Sequence, residues 1–121
     1  MKKIRSFIIL FISMIAFQFS FGQTSVKNET IIVNGNCGTC KKNIEKSALE
    51  AGAVTANWDK NTKFLNVSYD PSKSNSSKIQ MAIAEGGYDT QDYKASDSSY
   101  NKLDDCCQYD RKDLKTPKKD Q

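Results

Sequence analysis

A run of β-branched residues breaks at a pair of cysteines and passes directly into a helix-forming segment. Thr30-Ile31-Ile32-Val33 reads as a strand, and Lys41 to Ala51 as a helix that stops at Gly52. A glycine there suits a left-handed helix end. Between them lies Asn34-Gly35-Asn36-Cys37-Gly38-Thr39-Cys40. This order places Cys37 and Cys40 on a strand-to-helix loop that enters the first helical turn. The first amides of a helix lack intrahelical partners, and the helix dipole adds partial positive charge. Both stabilise thiolates, so this pair should be more acidic than free cysteine. Two thiolates on one turn form a soft site of the kind that selects Cu(I), Hg(II) or Zn(II). The motif alone also fits thiol redox chemistry or a plain disulfide.

The start of the chain has the pattern of a secretory signal peptide over residues 1–22. Lys2, Lys3 and Arg5 precede an almost purely apolar run from Phe7 to Phe17, and Ser20-Phe21-Gly22 supplies small residues at a cleavage site. That run is short for a membrane anchor. The competing reading is an uncleaved anchor. Cleavage before Gln23 implies a periplasmic or secreted protein with no membrane anchor left. The formal charge of +4 would then fall by the three signal-peptide cations, 4 − 3 = +1. Such a balance gives no basis for nucleic-acid binding. The chain has no histidine, which removes the commonest general base and any imidazole ligand. Export would also place the four cysteines in an oxidising compartment.

Downstream, two alternating runs flank a polar turn. Val54, Ala56 and Trp58 alternate in the first run, and Leu65, Val67 and Tyr69 share a face in the second. Asp59 to Thr62 joins them as a β-hairpin, and Asp70-Pro71 ends it. The serine-rich stretch Ser72 to Ser77 leads into a helix over Lys78 to Glu85 with Ile79, Ala82 and Ile83 on one stripe. Gly86-Gly87 closes that helix. Tyr88 to Ala95 reads as a last, edge strand. The order strand, helix, strand, strand, helix, strand predicts an α+β, ferredoxin-like βαββαβ sandwich, with two helices on an antiparallel sheet. In that topology Tyr88 lies at the same end as Cys37 and Cys40, either beside a bound ion or packed on the rim of the core.

Residues 23–95 would form this domain and 96–121 a cysteine-containing, partly disordered tail. The tail holds Cys106 and Cys107, followed by a charged stretch from Asp110. Adjacent cysteines can form a vicinal disulfide, bind metal together, or bridge to the first pair. A fourth strand running away from the loop would leave the tail at the far end of the sheet. About ten extended residues, at about 3.3 Å each, could span the return of about 20 Å.

Taken together, these residues resemble the heavy-metal-associated domain of copper chaperones, copper-pumping ATPase modules and the periplasmic mercury-binding protein. The resemblance covers roughly residues 28–95. It rests on Gly35-Asn36-Cys37-Gly38-Thr39-Cys40, Ile44 and Glu45, Val67-Ser68-Tyr69-Asp70-Pro71, and Ala84-Glu85-Gly86-Gly87-Tyr88. It implies that Cys37 and Cys40 hold a soft metal ion. Two features depart from the family. Asn34-Gly35-Asn36 stands where the family usually has Gly-Met-x, so the methionine that packs beneath the loop is missing. The tail with adjacent cysteines is also unusual.

The reading favoured by motif and resemblance together is an exported soft-metal carrier or scavenger and not an enzyme. Cu(I) is the first choice, with Hg(II) and Zn(II) as alternatives. Cys37 and Cys40 are the ligands, Cys106 and Cys107 auxiliary candidates, and Tyr88 a neighbour of the site. Its partners would be the ion and a metal-transporting membrane protein or another metal carrier. The alternative is a thiol-disulfide oxidoreductase with Cys37 as nucleophile and Cys40 as resolving thiol. Against it, the element order is not thioredoxin-like, and both prolines, Pro71 and Pro117, lie away from the motif.

Overall fold

The structure is a computed structural model and describes residues 25–111. Residues 1–24, which include the expected signal peptide of residues 1–22, and residues 112–121 lie outside the described residues. Strand β1 (Lys27–Ile32) leads through the cysteine loop into helix α1 (Gly38–Glu50). Strands β2 (Ala53–Trp58) and β3 (Phe64–Tyr69) follow, then helix α2 (Ser76–Glu85) and a short helix α3 (Asp97–Asn101). A 3-10 turn spans Asp105–Cys107. The sheet has three strands in the order β1-β3-β2, both pairings antiparallel, with α1 packed on β2 and on α2. This is the ferredoxin-like arrangement expected. No helix among the described residues is long and apolar enough to cross a membrane.

Local chemistry sets the element ends. Helix α1 stops at Ala51, and Gly52 takes φ 106°, the left-handed conformation expected of a glycine there. Helix α2 starts at Asn75, whose side chain accepts from the Lys78 amide, so the cap comes from an asparagine within the serine-rich stretch. Leu65, Val67 and Tyr69 are all buried, as their alternation predicts. Strand β2 differs from its expected pattern. Val54 is exposed while Ala53 and Trp58 are buried. The cause is a register shift between Ala53, which faces Tyr69, and Thr55, which faces Ser68. One extra residue in a ladder turns its neighbours to the opposite face.

The expected fourth strand, Tyr88 to Ala95, is reduced to a single bridge between Val33 and Thr90. The segment curls instead of extending. The Thr90 amide donates to the Tyr93 carbonyl at 2.8 Å, and Gln80 reaches in from α2 to hold the curl. Gln80 Oε1 accepts from Thr90 Oγ1 at 2.8 Å and from the Asp92 amide at 3.1 Å. The open edge of β1 is covered by Gln91, whose amide donates to Ile32 O while its side-chain oxygen accepts from Ile32 N, each at 3.0 Å. The curl brings the chain back on itself, and the Ala95 amide donates to Asp89 Oδ1 at 2.8 Å. The tail therefore leaves near the cysteine loop and has no domain to cross.

The tail is folded from Ser96 to Arg111. Tyr109 is 1 % exposed, and its hydroxyl donates to Gly87 O at 2.9 Å and accepts from Asp89 N at 2.7 Å. Arg111 grips both Asp89 carboxylate oxygens at 2.8 and 3.0 Å and reaches Asp97 at 2.9 Å. Cys107 and Tyr109 belong to the same buried cluster as Ile31, Ile44, Leu65 and Ile83.

Trp58 fills the space beneath the cysteine loop. Its indole N–H donates to Val33 O at 2.9 Å, and a Cβ built at Gly35 would stand 3.0 Å from its ring and 3.3 Å from Cys40 Cβ. Gly35 lies in the family's methionine position, so the tryptophan takes the room that a side chain there would need. Gly35→Ala should destabilise the fold by about 1–3 kcal/mol through overpacking, measured by denaturant unfolding. Unchanged stability would show that the contact is slack.

Candidate metal centre

The loop places its first cysteine at a helix boundary. Cys37 caps α1 in extended backbone (φ −140°, ψ 178°), and its carbonyl accepts the first helical bond from Lys41 N at 3.0 Å. Cys40 sits one turn in, fully buried against Ile44 and Trp58 in the core cluster. The two sulfurs are 3.4 Å apart, and the Asn36 amide points at Cys40 Sγ at 3.4 Å. From below, Lys63 donates its ammonium to the Gly35 carbonyl and lies over the Trp58 ring. Lys63 is the one described non-glycine residue with positive φ, 65°.

The tail brings the other two cysteines to the same place. Cys107 Sγ and Cys106 Sγ each lie 3.6 Å from Cys37 Sγ, and they are 3.9 Å from each other. All four are free thiols; Cys40 and Cys107 are buried, Cys37 is half-buried and Cys106 exposed. The sulfurs of Cys37, Cys40 and Cys107 all lie within 4.8 Å of one another. Tyr88 is fully buried, as befits a residue that covers the site from the core side. Its hydroxyl accepts from Asn43 Nδ2 at 3.0 Å and faces the Cys107 thiol. Tyr88 is thus a core residue whose hydroxyl lies against the thiol cluster.

The thiols differ in acidity. Cys37 is lowered to about 6, chiefly because the Cys40 backbone N–H donates to its sulfur; partial desolvation opposes this, and the neighbouring thiols of Cys40, Cys107 and Cys106 add to the lowering. Burial pushes the Cys107 thiol well above its ordinary range, and the Cys40 sulfur beside it acts in the same direction. Burial likewise holds the Tyr88 phenol in its neutral form. The cluster at neutral pH thus offers one ready thiolate at Cys37 beside a buried protonated thiol at Cys107. A soft ion would meet Cys37 first and displace the Cys107 proton on closing.

Several contributors carry no sequence signature. Asn34 donates from its side chain to Asp110 O at 3.2 Å, tying the loop to the tail. Tyr100 packs edge-on against Tyr109 with ring centroids 5.1 Å apart, and Arg111 stacks on Tyr100 at 4.9 Å. Glu45, singled out by the family pattern, holds structure: its carboxylate accepts from Lys41 Nζ at 2.7 Å and from the Trp58 amide at 3.3 Å.

This fold matches known structures. The CopZ metallochaperone is 32% identical with a TM-score of 0.51, covering 53% of this chain and 98% of that one. The putative copper-ion-binding protein from Bacillus anthracis str. Ames is 27% identical with a TM-score of 0.52, covering 56% and 99%. The N-terminal domain of a potential copper-translocating P-type ATPase from Bacillus subtilis, in its Cu(I)-loaded state, shares the fold at 22% identity and a TM-score of 0.51, covering 55% and 85%. No family model matches the chain, and no curated protein does. The chain belongs to the heavy-metal-associated domain family.

The acidity pattern has a readable consequence for the metal-free protein. A thiol with a lowered pKa contributes stability that is present above its unfolded value, about 8.5, and lost as pH falls through its folded value. Cys37 should therefore raise stability between about pH 6 and pH 8.5. Cys107, shifted upward, works the other way and lowers stability as pH rises beyond about 8.5. Denaturant unfolding under reductant should peak near that pH, and alkylation of Cys37 should be half-maximal near pH 6. Half-maximal alkylation of Cys37 near pH 8.5 would contradict the site's electrostatics.

Proposed function

We propose that this protein carries or sequesters a soft metal ion outside the cytoplasm. Cu(I) is the first-choice cargo, with Hg(II) and Zn(II) as alternatives. Cys37 and Cys40 are its central ligands. The observation that carries the reading is the convergence of three thiol sulfurs within 4.8 Å at the start of a helix. Sulfur-only donor sets favour soft ions over hard ones. Support for a carrier comes from the similarity to a metallochaperone, and support for copper from the similarity to a putative copper-ion-binding protein. Support for export comes from the basic and apolar start of the chain.

Hand-over would proceed by ligand exchange. An incoming thiolate from a partner bonds to the ion while one of this chain's thiolates leaves it, and no organic bond is made or broken. The partners in this reading are a metal-transporting membrane protein or another metal carrier. Cys37, half-buried at the loop, and exposed Cys106 are the sulfurs an incoming ligand reaches first. The chain is not an enzyme in this reading, and with no histidine it lacks the commonest general base. Thiol-disulfide exchange through the same pair draws on the acidic Cys37. The presence of Cys107 at 3.6 Å favours one ion shared among sulfurs over a two-thiol redox couple.

The purified protein, kept anaerobic with reductant, should take up about one Cu(I) per chain in competition with a chelator. Replacing both Cys37 and Cys40 by serine should abolish tight binding. Undiminished affinity in that double variant would sink the reading.

A further inference from the structure

The family's two-cysteine loop is complete in this chain without the tail, yet the tail is built into the site. Three independent anchors hold it there. Tyr109 is pinned by its hydroxyl between Gly87 O and Asp89 N. Arg111 makes a two-pronged ion pair with Asp89, which is 8 % exposed at its side chain, and also donates to the Ala95 carbonyl. Asn34, next to the cysteine loop, holds the Asp110 carbonyl. Leu103 and Ser99 cover Gly87, where φ is 103° and a Cβ would stand 2.8 Å from Ser99 O. These contacts deliver Cys107, with no exposed surface, to 3.6 Å from Cys37.

The sulfur spacings favour more than two ligands on one ion. A linear two-coordinate ion with bonds of about 2.3 Å holds its sulfurs about 4.6 Å apart, whereas tetrahedral angles bring them to about 3.8 Å. The observed separations are 3.4 Å for Cys37 to Cys40 and 3.6 Å for Cys37 to Cys107. Charge points the same way. Three thiolates around Cu(I) sum to 1 − 3 = −2, but around a divalent ion to 2 − 3 = −1. Cys40 and Cys107 are both fully buried, and buried net charge is costly. The smaller residual charge is the better fit. The lysine after the motif does not offset it, because Lys41 is held on Glu45, Asn57 and Trp58 O.

Resting on the metal-carrier reading, we propose that Cys107 is a third metal ligand, held by a Tyr109–Arg111 latch, which extends the site from Cu(I) to soft divalent ions such as Cd(II). Cys37, Cys40 and Cys107 form the ligand set. Cys106, exposed on the rim, is outside it. Arg111 is a positioning residue that acts through the tail and touches no ion.

The test titrates the full purified protein, anaerobic and reduced, with Cd(II), reading the sulfur-to-metal charge-transfer absorbance, and in parallel with Cu(I) against a chelator. Cys107→Ser should lower Cd(II) affinity at least about tenfold, the size of effect that even an outer partner of a ligand has, and reduce the absorbance per bound ion by about one third. Arg111→Ala keeps all four thiols and should also lower Cd(II) affinity, while both variants leave Cu(I) affinity within about threefold. Retained Cu(I) binding serves as the check that each variant is folded. Unchanged Cd(II) affinity and absorbance in Cys107→Ser overturns the proposal and leaves the carrier reading standing. A loss in Cys106→Ser as large as in Cys107→Ser overturns the three-ligand assignment. Cu(I) and Cd(II) both retained in Cys37→Ser/Cys40→Ser would remove the carrier reading itself, and this proposal with it.

Discussion

The wedge of Trp58 under the cysteine loop is the contact on which the site's geometry rests. Its N–H takes up the Val33 carbonyl at the point where β1 ends, and its ring closes against Gly35, which also lies beside the Cys40 methylene. A buried polar ring atom needs its partner, and here the partner is the last backbone acceptor before the loop. The loop is thereby fixed relative to the sheet through β2 instead of through a side chain of its own. Lys63 adds a second support through the Gly35 carbonyl. With the loop held, the first turn of α1 presents Cys37 to its free amides, and the acidity of that thiol follows.

Above the loop, one acidic residue, Asp89, organises the return of the chain. Asp89 accepts the Ala95 amide, binds Arg111 through both oxygens, and offers its own amide to Tyr109 and its carbonyl to Asn34. A carboxylate that is nearly buried and paired with a guanidinium is costly to break on either side, because the remaining charge would be stranded. Around this hub the curl at Thr90 replaces a straight strand. The tail then stays at the end of the sheet where the cysteines lie. The thiol cluster is thus the product of two anchors, one beneath the loop and one beside it.

Much of this was legible in the residues. The cysteine pair on a strand-to-helix loop, the buried face of β3, the glycine at the end of α1 and the nearness of Tyr88 all follow from local rules of period, capping and topology. Three features did not. Period-two alternation cannot reveal the bulge that turns Val54 outward, because an inserted residue leaves no mark in composition. The edge strand at Tyr88 to Ala95 gave way to hydrogen bonds from Gln80 and Gln91, polar side chains whose partners are distant in sequence. The tail looked unanchored because it lacks an apolar stripe. Its attachment is made by isolated aromatic and charged residues, Tyr100, Tyr109 and Arg111, whose value depends on where the curl places them. The convergence of Cys107 on Cys37 and Cys40 is invisible until that path is known.

The most direct measurement is X-ray absorption at the copper edge of the Cu(I)-loaded, reduced protein. The account predicts a shell of sulfur alone, with two ligands at about 2.3 Å, the usual metal–thiolate distance. A shell containing nitrogen or oxygen donors would contradict it, since it would place the ion away from the cluster that the loop and the tail build together.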